Sequence, residues 1–359
     1  MKHDILISIS VLAVLVGCTK VDVRTPERVQ SDVCFNTPVV SSITKVVGEI
    51  DGLYPTSESF AVFSVYHSES FNGWDTGVSY INRAEFTYNA SVDDSDSDAL
   101  GGWTGGYYYP KSGSLSFAAY SPFSAHADSP GVGTGTFEYA SAGLSIANFT
   151  IPELAAQYDL LYSERIYDKT ANDGVGDGYE GLDLVLQHAL SSIKFKVQKK
   201  AAYTGYTITL KSISLENINY KGSFAENIQN PTSDVYASAP AWTPTDDLTN
   251  YTIYNSSLVI TEAATDTDDV KYHSISQGAI LLPQTFGESD TALIRVNYTI
   301  KPTSMPEISQ TATIPLNKLS EGWVIGKRYT YNISIGYDTI TISPTVIGWE
   351  DVNGDVAVN

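Results

Sequence analysis

Leu182–Val197 reads LDLVLQHALSSIKFKV, two alternating runs joined by a short turn. Leu182, Leu184 and Leu186 alternate with Asp183, Val185 and Gln187. Past Ala189–Ser191 the alternation restarts, with Ile193, Phe195 and Val197 on one face and Ser192, Lys194 and Lys196 on the other. Successive side chains of an extended strand point to opposite sides, so a period of two puts one face in a core and the other in water. A Gly-rich stretch precedes the segment and a second strand-patterned block follows it. The stretch is read as the hinge between two β domains. The expected fold class is all-β, with two β-sandwich domains in tandem and few, short helices.

A chain of 359 residues is too long for one ordinary core, and two domains of about 150 residues each are the default. Around the hinge this gives residues 32–181 and 182–359, preceded by a tether over 18–31 and a leader over 1–17. Hydrophobic residues make up 42% and charged residues 17%, which fits a folded core under a surface of Ser, Thr, Asn and Gly. Tyr, with 24 copies, and Thr favour strands. Against 41 acidic residues stand 21 basic ones, a net charge of −20. So acidic a surface repels DNA, RNA and anionic lipid, and no nucleic-acid partner is expected.

Upstream of the hinge, Tyr158–Tyr167 (YDLLYSERIY) runs into Asp168–Glu180 (DKTANDGVGDGYE). The second piece fails as a calcium loop. With Asp168, Thr170 and Asn172 on the first ligand positions, Asp173 falls where the turn needs Gly, and Glu180 comes one place late. Gly174, Gly176 and Gly178 read instead as a mobile inter-strand loop. Farther back, Trp103–Pro110 (WTGGYYYP) and Leu115–Phe123 (LSFAAYSPF) are aromatic strands around a Gly-rich turn. Their rings either fill a core between two sheets or form a sugar platform, and core is the commoner use. Phe60–Tyr66 and Tyr80–Tyr88 are strands, the latter with a wet face through Asn82 and Glu85. Asp93–Asp98 (DDSDSD) reads as a solvated acidic loop rather than a cation site.

Downstream, Thr207–Leu215 is a strand whose inward positions change phase between Leu210 and Ile213, which calls for a bulge. Asn219–Thr249, polar and Pro-containing, reads as a long surface excursion. Ser257–Thr261 and Ser274–Pro283 read as strands. Leu293–Lys301 sets Ile294, Val296, Tyr298 and Ile300 against Arg295, Asn297, Thr299 and Lys301. Tyr329–Tyr337 repeats that pattern with Tyr331, Ile333 and Ile335 inward.

The N-terminus carries Lys2, then the apolar run Ile5–Val16, too short to span a bilayer, ending in Leu15-Val16-Gly17-Cys18. Small residues before a Cys directly after such a run resemble a bacterial lipobox, with cleavage before Cys18 and acylation of its thiol. The other reading is an ordinary signal peptide with a chance Cys. More than one acyl chain on Cys18 gives stable anchoring. Cys34, the other cysteine, is then left without an intramolecular partner and reads as a small buried hydrophobe in the apolar run Val33–Val40. Residues Thr19–Ser31, with Arg24, Pro26 and Arg28, form the tether.

Signals for catalysis are weak. None of His3, His67, His126, His188 and His273 lies at zinc-ligand spacing with another ligand. No nucleophile elbow, phosphate loop or nucleotide fingerprint is present. His188, in the hinge, is either a general base or a hydrogen-bonded structural residue, and the latter is commoner for a lone His between strands. No metal, cofactor or enzymatic activity is expected.

Taken in order, the lipobox, W-x-G-G-Y-Y-Y-P, F-A-A-Y-S-P-F, Y-D-L-L-Y, H-A-L-S-S-I-K-F-K-V and the closing G-K-R-Y-T-Y-N-I-S-I-G-Y-D-T-I-T-I-S-P resemble the fimbrillin family, the Mfa-like or FimA-like pilin lipoproteins of Bacteroidales. The strongest parts are Tyr158–Leu161, His188–Val197 and Gly326–Trp349. The resemblance implies two transthyretin-like sandwiches, export as an outer-membrane lipoprotein, proteolytic removal of an N-terminal strand at the cell surface, and polymerisation with other pilin subunits by strand exchange. It also allows a host or bacterial surface receptor as a partner.

If the strand around Val33–Val40 is cut away, the first sandwich exposes a groove with unpaired backbone groups, to which an extended segment of another subunit can add. Thr339–Val358 is the donor candidate, through Ile340, Ile342, Val346 and Ile347, with Pro344 confined to an edge or bulge. The same segment is equally readable as the last strand of its own domain. The family places an Arg just after the first strand, whereas here the nearest basic residue is Lys45. Cutting at Arg24 or Arg28 frees the protein from lipid without opening the groove. The expected function is a structural or adhesive pilus subunit. The alternative is a glycan-binding surface lipoprotein of a polysaccharide-uptake system.

Overall fold

A computed structural model of the protein describes residues 32–40, 52–90, 102–128, 134–171, 173, 175, 176, 178, 179, 181–200, 205–229, 236–260 and 272–348. The N-terminal half opens with β1 (Asp32–Phe35), β2 (Val39–Val40), β3 (Gly52–Leu53), β4 (Ser59–His67), β5 (Val78–Asn89), β6 (Gly102–Tyr108) and β7 (Ser114–Ser121). It continues with β8 (Thr136–Ala140), β9 (Gly143–Thr150), β10 (Leu161–Ser163), β11 (Ile166–Lys169), β12 (Val175–Gly176), β13 (Gly178–Tyr179) and β14 (Val185–His188). Its main sheet runs β1-β6-β5-β4-β7-β10-β14-β2-β3, with β11 also beside β7.

The central strands read as unbroken apolar runs because both their faces are covered. From β4 and β7, Phe60, Val62, Leu115, Phe117 and Ala119 point into one cluster, while Ala61, Phe63, Val65, Ala118 and Tyr120 point into another. The aromatics of WTGGYYYP are mostly core: Trp103 and Tyr109 are buried, Tyr107 is half-buried and Tyr108 exposed. Gly105 serves a close approach, since a Cβ there would stand 2.5 Å from the Phe86 ring. Within the stretch expected as a loop, β12 and β13 pair antiparallel, Val175 opposite Tyr179 and Gly176 opposite Gly178.

The C-terminal half comprises β15 (Ser191–Lys199), β16 (Tyr206–Asn219), β17 (Lys221–Ala225), β18 (Ala241–Pro244), β19 (Leu248–Ile260), β20 (His273–Ser274) and β21 (Ala279–Leu281). Then come β22 (Gln284–Thr285), β23 (Leu293–Pro302), β24 (Ile308–Pro315), β25 (Gly322–Trp323), β26 (Lys327–Ile335) and β27 (Ile340–Gly348). One sheet runs β20-β15-β26-β27, with β21 beside β15, and another runs β19-β16-β23-β24. Their inward residues, among them Ile193, Phe195, Leu210, Ile294, Val296 and Tyr331, share one apolar cluster. The bulge called for in β16 is present, as a register shift between Leu210 and Ser212 against both neighbours.

Asn219–Thr249 is not a surface excursion. It contributes β17 and β18 to a four-stranded sheet, β18-β17-β9-β8, and buries Phe224 and Trp242. Strands this short carry too few residues for a period to show. The sheet is built from both sides of residue 181, and it ties the two halves together beyond the hinge. The hinge itself divides. Leu182–His188 belongs to the N-terminal sheet, with Leu182, Leu184 and Leu186 buried and Asp183 and Val185 exposed. Ser191–Lys199 pairs in parallel with β26, with Ile193, Phe195 and Val197 buried. Among the described residues the only helices are short 3-10 turns, and none is long and apolar enough to cross a membrane.

Candidate functional site: a seam strand and an edge strand

The run Asp32–Val40 lies between β6 and β14, the two ends of the path β6-β5-β4-β7-β10-β14. On one side β1 is antiparallel to β6, with Cys34 opposite Thr104 and Phe35 opposite Trp103. On the other, β2 is parallel to β14, with Val39 opposite Val185 and Val40 opposite Leu186. Backbone bonds continue that second edge: Leu182 N–H donates to Cys34 O (2.9 Å), Asn36 N–H to Leu182 O (3.0 Å) and Val39 N–H to Leu184 O (3.1 Å). The run is therefore the seam that closes the sheet on itself and satisfies edges that would otherwise be open for pairing.

Its side chains are as deep as its backbone. Val33, Cys34, Phe35 and Val40 are all buried. Phe35 meets Phe60, Phe86 and Phe117 edge-on at centroid distances of 5.8, 5.5 and 5.6 Å. Cys34 fits its reading as a small core residue. Taking the run away would leave a slot floored by these rings and edged by β6 and Leu182–Leu186.

At the other end of the chain, β27 pairs antiparallel with β26, Ile342 opposite Ile333 and Val346 opposite Tyr329. Among the described residues it has no second strand partner, so its outer backbone edge is open. Pro344, opposite Tyr331, is tolerated because an edge strand needs no outward N–H. Ile340 and Ile342 are half-buried against the core, whereas Val346 and Ile347 are 48% and 40% exposed. The donor candidate thus sits in the structure as a loosely covered last strand of its own sheet. Cys18, Arg24, Arg28, Lys45 and the Asp93–Asp98 loop lie outside the described residues.

The carboxylates after Tyr167 are used locally. Asp168 Oδ1 accepts from Phe71 N–H (2.6 Å) and the Ser114 hydroxyl (2.8 Å). Asp173 Oδ2 accepts from the Thr170 N–H and hydroxyl, both at 2.6 Å, and that side-chain bond holds its carboxyl below the ordinary value. Burial lowers the pKa of His67 and of His126, the latter aided by Arg83.

His188 has a partner that reading the sequence missed. Its Nδ1 stands 2.9 Å from Asp159 Oδ2, and both side chains are fully buried. Hydrogen bonds to backbone carbonyls surround the pair. Ala189 N–H donates to Leu160 O (2.8 Å), Trp242 Nε1 to Ala189 O (2.6 Å) and Gly326 N–H to Leu190 O (3.0 Å). Asp159 was marked in the sequence by being a carboxylate inside the apolar run Tyr158–Tyr162, where a charge persists only with a partner. The stretches YDLL, HALSS and GKRY meet here, so they form a structural junction between the halves.

A family model described as fimbrillin-like matches residues 55–349. No curated protein matches the chain. Among solved structures, a fimbrial protein from Bacteroides vulgatus aligns over 88% of this chain and 99% of its own, at 17% identity and a TM-score of 0.57. A protein assigned provisionally to cell adhesion in Bacteroides uniformis aligns over 89% and 98%, at 14% identity and a TM-score of 0.49. The tip fimbrial protein Mfa3 from Porphyromonas gingivalis, with a C-terminal truncation, aligns over 81% and 94%, at 11% identity and a TM-score of 0.33.

Proposed function

The chain belongs to the fimbrillin-like family, and on that premise we propose that it is a pilus subunit, exported as an outer-membrane lipoprotein through Cys18 and polymerised by β-strand exchange. The observation that carries this reading is the seam run Asp32–Val40, one short segment that satisfies both edges of an otherwise open sheet. Removing it trades a closed sheet for an apolar slot with two open edges, and an incoming strand restores both the backbone bonds and the buried area.

β27 suits that role in length and face. It spans nine residues, as does the seam run. Ile340, Ile342, Pro344 and Val346 share the face that would enter the slot. Leaving its own sheet breaks backbone pairing along one edge only. In this reading cleavage at Lys45 opens the slot, whereas cleavage at Arg28 releases the protein from lipid with the seam in place. N-terminal sequencing of the surface-released protein should begin at Val46, and a start at Val29 would instead describe a subunit that does not open.

The test uses the full chain, cut after Lys45 and run in mild detergent. Wild type is expected to give high-mass ladders, and deletion of Thr339–Asn359 should abolish them. Val346→Asp with Ile347→Asp separates assembly from folding. Both positions are exposed, so the variant should keep wild-type stability within about 0.5 kcal/mol, yet run as a monomer because Val346→Asp puts a carboxylate on the face that would enter the apolar slot. Ladders that survive this variant would remove β27 as the donor.

A further inference from the structure

At one end of the C-terminal half, the ends of β16 and β18 and the loop after β22 enclose a cleft of about 410 Å³, inside the range of about 300–1,000 Å³ usual for small-ligand pockets. Its floor is held from within by hydrogen bonds. Asn219 N–H donates to Gln284 Oε1 (3.2 Å), and Gln284 Nε2 donates back to Asn219 O (3.3 Å). Asn217 Nδ2 donates to Thr291 O (3.0 Å), and Asn219 Nδ2 to Thr245 O (2.7 Å). Phe286 and Ala292 are buried beside Gln284, and Leu248 stands 49% exposed at the mouth.

The rim is the opposite. The side chains of Asp246, Thr285, Ser289 and Thr291 line the cleft and make no hydrogen bond or ion pair within the described residues. Asp290 uses one carboxylate oxygen to accept from Gly287 N–H and keeps the other. Fixed walls with several uncommitted polar groups at the mouth describe a site built for hydrogen bonding.

The chemistry of the lining narrows the ligand. No Lys, Arg or His lines the cleft, and two carboxylates do. Phosphate, sulfated and sialylated ligands are therefore repelled. A divalent cation asks for more oxygen or nitrogen ligands than two carboxylates supply, and no group of three metal-binding side chains occurs among the described residues. Carboxylate acceptors, hydroxyls that both donate and accept, and an apolar strip of Pro244, Leu248 and Phe286 match a ligand rich in O–H donors with one C–H face. We propose that this cleft binds a neutral saccharide, so that the subunit carries its own carbohydrate contact, independent of strand exchange.

The test uses the uncut full chain, a monomer in the assembly reading, on an array of neutral, sulfated and sialylated glycans. Signal is expected on neutral glycans only. Asp246→Ala, at an exposed position that holds nothing else, should weaken the best neutral hit about tenfold or more, the loss of a charged hydrogen bond. The Val346→Asp, Ile347→Asp variant should bind as wild type does, so loss of polymerisation and loss of sugar are read separately. Absence of neutral-glycan signal, preference for charged glycans, or unchanged affinity in Asp246→Ala would each overturn the proposal.

Discussion

Phe35→Ala lowers the unfolding free energy by about 3–5 kcal/mol, the range for emptying a fully buried aromatic site. The ring touches three others edge-on, and each such pair adds about 0.5–1.5 kcal/mol beyond area. The neighbours cannot collapse into the gap, because Phe60, Phe86 and Phe117 are anchored on three separate strands. Val39→Ala, in the same run but 49% exposed, should cost within about 0.5 kcal/mol. Urea melts of the two variants supply the comparison, and equal costs would mean that the run does not hold the sheet closed. A second readout follows from the geometry. A seam weakened at Phe35 opens more often, so a synthetic peptide of Thr339–Gly348 should bind Phe35→Ala without any cleavage and leave uncut wild type unbound.

What could be read in the chain follows from where each residue's partners lie. Where one face is core and the other water, the strand announces itself, as in Leu293–Lys301 and the two runs of the hinge. The bulge near Leu210 was visible because a phase change is a local fact. Closure of the N-terminal sheet was not visible. It depends on Val39 meeting Val185 across almost the whole half-chain, and no periodicity encodes a pairing partner. The same holds for β17 and β18. Two isolated aromatics, Phe224 and Trp242, gave no period, yet they bury against β9 and the hinge. The strongest stretches of the family resemblance include YDLL, HALSS and GKRY, which meet at the junction of the halves. The resemblance said nothing about the cleft near Gln284, whose residues are scattered amides, hydroxyls and carboxylates with no sequence spacing in common.

The Asp159–His188 pair should prove the most sensitive polar contact in the protein. Asp159→Ala removes one partner from a pair whose side chains are both fully buried, and the expected cost is about 3–5 kcal/mol. His188→Ala should cost as much for the same reason, in each case by leaving the other group buried and uncompensated. The double variant leaves nothing uncompensated. Its loss should therefore be well below the sum of the single losses, with a coupling of about 0.5–3 kcal/mol in a double-mutant cycle. The location makes the effect global. His188 ends β14, and three residues later Ser191 begins β15, where its hydroxyl donates to Val324 O at 2.8 Å. Gln157, two residues before Asp159, accepts from Ile280 N–H at 2.8 Å in the other half. Loosening Asp159 thus loosens both the exit from the N-terminal sheet and the register in which β15 meets β26. One cooperative transition, moved to lower urea with an unchanged slope, is the expected signature. Trp242, bonded to Ala189 O, reports on it from beside the pair. If the single losses simply add, the two side chains act through separate neighbours and not through each other.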